Sequence, residues 1–370
     1  MEILEKANEM QRKGIDVIHL EVGEPDFNPP RCVIDTAKEA LSSGDTHYTH
    51  SLGTMKLREG LAAFYKREYG VSVNPDRIIV TSGSSPAILL ALLATCPQGD
   101  EVIVPNPGYS CYKNFIHTVG GIPVDVSVSP ENGFEYGKDD VMRAITEKTR
   151  AIFVNSPMNP TGTLVSDETF RFLSGTGIQI ISDEIYHGLV YKGKARSILE
   201  FTDDAIVISG FSKRFAMTGF RLGYTIVPEH LVRPIQILQQ NLFICAPSTA
   251  QAAGLAALEN ADSDVEKMRG IYNERRIYMI KRLTEMGFEI ATEPLGAFYV
   301  FCDTRRFTND SYHFAFDILE KAHVGITPGT DFGSRGEGFV RLSYANSIER
   351  ITEGMDRIRE YLSNLQINRK

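Results

Sequence analysis

Lys213 stands in the segment Ser209-Gly-Phe-Ser-Lys213, just past the apolar run 205–209 and eight positions before Arg221, which itself precedes another apolar run. Most lysines are solvated surface groups. One placed at a strand end among small and aromatic residues is suited to covalent chemistry, because its amine can be desolvated, lose part of its basicity and react with a carbonyl. Upstream, the apolar segment 178–183 ends in Asp183-Glu184, with Tyr186 three residues on. Ligands of open α/β sheets bind beyond the carboxyl ends of strands, which points Asp183 at the expected cleft, although an aspartate there could equally cap a helix. The run 151–155 leads into Asn159-Pro-Thr-Gly162, by itself a good turn. After the run 77–81 comes Ser82-Gly-Ser84-Ser85-Pro86, whose backbone N–H groups at a helix start would stabilise an anion, as would any plain βα turn.

These residues need a scaffold that brings strand ends together. From about residue 50, strand-like and helix-like segments alternate, the pattern of an α/β protein with a mainly parallel sheet. Seven candidate strands cover 77–81, 101–104, 123–126, 151–155, 178–183, 205–209 and 222–227, several of them continuously apolar, as strands buried on both faces should be. Crossover helices are expected at 56–69 and at 86–95, the latter with Pro86 in its first turn. Beyond about residue 262 the texture changes to a long helix with Met268, Tyr272, Met279, Leu283 and Met286 on one face. A smaller α+β unit follows, with strands at 298–302 and 339–342. Its last helix carries the stripe Ile351, Met355, Ile358, Leu362 and Leu365. Both stripes read as core.

Composition narrows the classes. The 370 residues allow about two domains by the usual ~100–200 residues each. With 39 Lys+Arg against 47 Asp+Glu the net charge is −8, which disfavours nucleic acid or an anionic membrane as partner. Five widely spaced cysteines without a C-x-x-C pair indicate neither a disulfide framework nor zinc, and point to a reducing cytoplasm. No metal is expected; His47 and His50 lack flanking ligands and read as a polar loop. The charged N-terminus shows no signal-peptide core, and the apolar run 87–94 is too short to span a bilayer. Signatures of serine hydrolases, P-loop NTPases, zincins and dinucleotide-binding turns are absent from the sequence.

Taken together, LEVGEPDF (20–27), YTHSLG (48–53), NPTG (159–162), SDEIY (182–186), SGFSK (209–213) with Arg221, TPGTDFG (327–333) and VRLSYA (340–345) resemble the pyridoxal-phosphate enzymes of fold type I, class I/II aminotransferases, over nearly the whole chain. The resemblance implies a large cofactor-binding domain over 30–262, with a seven-stranded, mainly parallel sheet and flanking helices. Residues 1–29 and 263–370 would form the smaller α+β domain.

The resemblance also implies roles. Lys213 would hold pyridoxal 5'-phosphate as a Schiff base and shuttle a proton; Asp183 would pair with the pyridine nitrogen; Tyr186 and Asn159 would bond the phenolic oxygen; Tyr109 would stack on the ring. The phosphate would sit on Ser84 and Ser85, with Ser212, Arg221 and Tyr48 of a partner subunit in a homodimer. Arg341 interrupts an apolar strand, where a charge is costly without a partner. The substrate α-carboxylate would be that partner, with Asn159 nearby and Gly23 allowing close backbone approach. The implied reaction is ping-pong transfer of an amino group between an amino acid and a 2-oxo acid. A carbon–sulfur β-lyase on the same scaffold is the alternative, and a catalytically silent sensor is disfavoured by the lack of a helix-turn-helix segment before Leu20. Three departures stand out: a tyrosine at the stacking position in a chain without Trp, a short N-terminal arm, and Ser85 where some dicarboxylate-specific relatives carry lysine.

Overall fold

The computed structural model describes residues 2–367. Strand β1 (Ile18–His19) precedes the strands of one sheet: β2 (Ile78–Thr81), β3 (Glu101–Asn106), β4 (Ile122–Ser127), β5 (Thr149–Asn155), β6 (Gln179–Asp183), β7 (Ala205–Gly210) and β8 (Gly223–Ile226). Four more follow, β9 (Tyr299–Asp303), β10 (Val324–Gly325), β11 (Thr327–Pro328) and β12 (Phe339–Ser343).

The seven-stranded sheet has the order β2-β8-β7-β6-β5-β3-β4. The middles of its interior strands are apolar because both faces are covered. Ile152, Val154, Ile180 and Val207 point into one core, while Ala151, Phe153, Ile181 and Ile206 point into the other. Pairing is parallel except at β8, which runs antiparallel to both β2 and β7. That exception matters. The start of β8 lies at the same sheet edge as the ends of β2 and β7, so Thr81 and Gly210 both face Gly223. Arg221 is thereby delivered to the edge where Lys213 and Ser84 emerge. The register also sets Asn155 beside Asp183, and Asp183 beside Ile208.

The expected strand at 123–126 is the edge strand β4, where Pro123 is tolerated; most of its residues are partly or fully exposed rather than buried on both faces. The helix expected at 56–69 spans Met55–Tyr69, capped by the Thr54 hydroxyl, which accepts from Leu57 N, and closed by Gly70 at φ 74°. The one expected at 86–95 begins earlier, at Ser84.

The remaining elements form a third core. Met268, Tyr272, Met279 and Leu283 from Asp262–Met286 meet Ile351, Met355, Ile358 and Leu362 from Ile348–Ile367, as their spacing required. The N-terminal helix Glu2–Arg12 joins them through Ile3, Ala7 and Met10. Strands β11, β12 and β9 make an antiparallel sheet, and β1 pairs in parallel with β10, which ties residues 18–19 to this core. Among the described residues, no helix is long and apolar enough to cross a membrane.

Candidate active site

A cleft of about 530 Å³ opens at the carboxyl edge of the seven-stranded sheet, where it meets residues of the N-terminal segment and of β9, β11 and β12. Asp183 ends β6 at its floor and is buried. No helix follows it. Instead Oδ1 accepts from the N–H of Ile185 at 3.2 Å and Oδ2 from the hydroxyl of Tyr112 at 2.7 Å. Burial pushes its pKa up to about 6, against the pull of those two hydrogen bonds and of Lys213.

Lys213 lies in the short helical turn Phe211–Arg214 that leaves β7. Its Nζ donates to the carbonyl of Gly23 at 2.6 Å and, among the described residues, has no carboxylate within 4 Å. Burial lowers its pKa to about 8; Glu24 opposes that shift, and Arg341 and Arg221 add to it. A fraction of the amine is therefore neutral, hence nucleophilic, near physiological pH. Tyr186, also buried, shares a 2.9 Å hydrogen bond with the hydroxyl of Tyr299.

At one end of the cleft the helix Ser84–Thr95 begins after Gly83 (φ 101°) with no capping side chain on its first N–H groups. Arg221 covers this start: a Cβ on Gly83 would lie 2.6 Å from its Nη2. Gly223 is equally constrained, since a Cβ there would lie 2.7 Å from Ser84 N. Arg221 donates to the carbonyl of Thr218 at 2.9 Å and pairs with no carboxylate among the described residues. Ser84, Ser85 and Ser212 complete a corner made of donors and positive charge.

At the other end stands Arg341, in the middle of β12 and buried. Its guanidinium donates to Asn159 Oδ1 (2.8 Å), the carbonyl of Glu21 (2.7 Å) and the hydroxyl of Thr327 (3.3 Å), and lies over the rings of Tyr299 (4.1 Å) and Phe332 (4.9 Å). Every one of these partners is neutral. No structural salt bridge neutralises Arg341 among the described residues, and its buried Nε has no hydrogen-bond partner. A buried cation so arranged is complete only with an anion in the cleft.

Comparison with known proteins agrees. The model of the family "Aminotransferase class I and II" matches residues 15–358. The (5-formylfuran-3-yl)methyl phosphate transaminase of Methanocaldococcus jannaschii is 42% identical over 98% of this chain and 96% of its own length. The aspartate aminotransferase of Pyrococcus horikoshii is 37% identical over 98% and 93%. Among solved structures, the Thermus thermophilus aspartate aminotransferase with maleate superposes with a TM-score of 0.93 at 37% identity, covering 97% of this chain and 95% of that one. The chain belongs to the class I and II aminotransferases.

It is thus a transaminase that uses pyridoxal 5'-phosphate and acts on amino acids and 2-oxo acids. These relatives are named transaminases, and nothing in them favours a β-lyase. The cleft of this aminotransferase fits the cofactor's chemistry. An amine of lowered basicity, a buried carboxylate at about 6, and a donor-rich cationic corner surround one space, matching an aldehyde, a ring nitrogen and a phosphate.

Of the residues expected from the sequence, Gly23, Ser84, Ser85, Tyr109, Asn159, Asp183, Tyr186, Ser212, Lys213, Arg221 and Arg341 all line this cleft. Tyr48 does not; it stands 81% exposed on the surface of its own chain. Gly23 has a tighter constraint than the one expected, because a Cβ there would lie 2.1 Å from the Tyr299 hydroxyl. His47 and His50 lie in a loop, with His50 Nδ1 accepting from Leu52 N at 3.2 Å; among the described residues no group of side chains could hold a metal ion. Sequence reasoning missed Tyr112, Tyr299 and Thr327. Tyr112 had a faint signal, lying three residues after Tyr109 at a helix start, whereas Tyr299 sits in an apolar run indistinguishable from core.

Proposed function

We propose that the parts of this cleft act as follows in amino-group transfer. When bound, pyridoxal phosphate supplies an electrophilic carbon that bonds to an amine and a ring that takes up the electron pair released at the substrate α-carbon. Lys213 would hold the cofactor and, once displaced by substrate, carry the proton to and from the α-carbon as general base and acid. Asp183 keeps a proton on the ring nitrogen, its carboxylate aimed by Tyr112 and Ile185 N–H. The Tyr186 hydroxyl, now bonded to that of Tyr299, and the Nδ2 of Asn159, whose Oδ1 accepts from Arg341, would hydrogen-bond the phenolic oxygen. Tyr109 would cover the ring, and Ser84, Ser85, Ser212 and Arg221 would hold the phosphate.

Arg341 binds the α-carboxylate of donor and acceptor alike, which makes a single site serve both halves of the cycle. The observation that carries this reading is the buried Arg341 guanidinium, bonded only to neutral groups, sharing one cleft with Lys213. We further assign 30–262 to a large domain and 1–29 with 263–370 to a small one; the core that gathers Ile3, Ala7 and Met10 with Met355 and Ile358 supports joining the two chain ends. The proposed assembly is a homodimer, in which the exposed Tyr48 reaches the partner's phosphate. Five free cysteines support the cytoplasm as its location.

The test is the isolated half-reaction. Mixing the pyridoxal form with amino acids should bleach its absorbance stoichiometrically with 2-oxo acid and release no ammonia. Ammonia in place of a retained amine would refute transfer in favour of elimination.

A further inference from the structure

Resting on that reading of the site, we propose that the amino donor carries an uncharged, apolar side chain and that the cleft rejects a second carboxylate. The argument begins with charge. Among the described residues lining the cleft, the only cationic side chains are Lys213, Arg221 and Arg341. Each is committed: Lys213 to the cofactor, Arg221 to its phosphate, Arg341 to the α-carboxylate. No cation among these lining residues remains for a distal carboxylate.

The walls reinforce this. The rings of Tyr299 and Phe332 lie against Arg341, and Ile3 and Leu4 of the N-terminal helix and Val22 add further apolar lining to the cleft. Glu24, which also lines the cleft, accepts from the Thr218 hydroxyl on the Arg221 side and offers a distal carboxylate no positive charge. A donor's second carboxylate would be stripped of water against apolar surface, a penalty that no uncommitted cation among these lining residues offsets. An apolar side chain avoids that penalty and would bury its own surface against apolar lining such as Ile3, Leu4 and Phe332.

The experiment is single-turnover conversion of the pyridoxal form of the holoenzyme by alanine, leucine, phenylalanine, aspartate and glutamate. The best neutral donor should exceed both dicarboxylic donors in kcat/KM by at least about tenfold. Aspartate or glutamate equal to or above it would overturn the proposal, whatever chain supplied the missing cation. Leu4→Arg, placed on the half-buried wall and outside the groups assigned to cofactor and α-carboxylate, should shift the aspartate-to-leucine ratio upward by about tenfold. An unchanged ratio in a folded Leu4→Arg protein would remove the N-terminal helix from the side-chain pocket and overturn that part of the argument. Failure of every donor to convert the cofactor is a separate result, which would refute transamination itself rather than its selectivity.

Discussion

The hydroxyl of Tyr112 donates to Oδ2 of Asp183 at 2.7 Å, so the carboxylate that ends β6 is aimed from the helix Cys111–Thr118, which follows β3. Tyr112 is in turn fixed by stacking on Phe153, with centroids 4.4 Å apart. Because this bond stabilises the ionised carboxylate, it opposes the burial that raises Asp183 to about 6. Tyr112→Phe should therefore move the carboxylate further up. Cofactor affinity, which needs Asp183 ionised, should fall about tenfold or more at neutral pH, as loss of a ~1.5–3 kcal/mol hydrogen bond to a charged group implies. Fluorescence titration with pyridoxal phosphate across pH 5–8 reads both the affinity and its midpoint. An unmoved midpoint would show that Tyr112 does not act through Asp183.

Lys213 attacks only as the neutral amine, and burial brings its pKa down to about 8. The rate at which the apoenzyme takes up pyridoxal phosphate covalently should rise with pH through about 8 and level off above it. A lysine of ordinary basicity would still be gaining rate at pH 10. Lys213→Ala should lose the covalent absorbance band and about 10²–10⁴-fold or more in turnover.

Replacing Arg341 tests the shared carboxylate clamp. Arg341→Ala should raise KM for amino donor and oxo acceptor together, by about 10- to 100-fold for a lost charge-assisted pair. Arg341→Lys should rescue little, since a point charge cannot reproduce the fork that spans Asn159, Glu21 and Thr327. Steady-state kinetics with each substrate varied in turn decide the point; a defect in only one half-reaction would refute a common clamp.

Behind the site, the buried Glu184 accepts from Ser182, Ser197 and the N–H of Ile198, yet burial still pushes it up to about 8. Unfolding returns it to its usual 4.5, so the folded chain binds the extra proton between these values. Its contribution to stability is full below about 4.5 and is lost as pH rises through about 8. His187 acts oppositely, its pKa lowered by burial to about 3, but only below the ordinary histidine value of 6.5. Above 6.5 the loss of stability with rising pH comes from Glu184 together with His19, whose pKa is raised above the ordinary value by its hydrogen bond to Glu21. Glu184→Gln, which keeps the acceptor oxygen without the titration, should lessen the fall in melting temperature between 6.5 and 8, leaving the part that belongs to His19. A wild-type curve already flat there would contradict the assignment.

The homodimer with shared sites is tested by mixing subunits. A hybrid of one Lys213→Ala chain and one Tyr48→Phe chain has, if Tyr48 crosses the interface, one site with both native residues and one lacking both. Its activity should approach half that of the wild type. If Tyr48 serves its own chain, no site is intact, and the hybrid should show no more than half the activity of the Tyr48→Phe dimer.

Lys213, Asp183, Arg221 and Arg341 were legible from the chain alone because each interrupts or ends an apolar run, and a charge at a strand end must face either solvent or a site. The seven strands and both helical stripes were equally legible, since burial writes its period directly into local residue choice. What no local pattern contains is pairing between distant segments. The reversal of β8, which brings Arg221 to the edge shared by Ser84 and Lys213, is settled by strand register. So is the two-residue β1, held against β10, which places the carbonyls of Glu21 and Gly23 against Arg341 and Lys213. Tyr112 and Tyr299 look like core in the sequence because most of each ring is core. Only tertiary packing decided where their hydroxyls end, and the cost of burying a hydroxyl without a partner is what fixed one on Asp183 and the other on Tyr186.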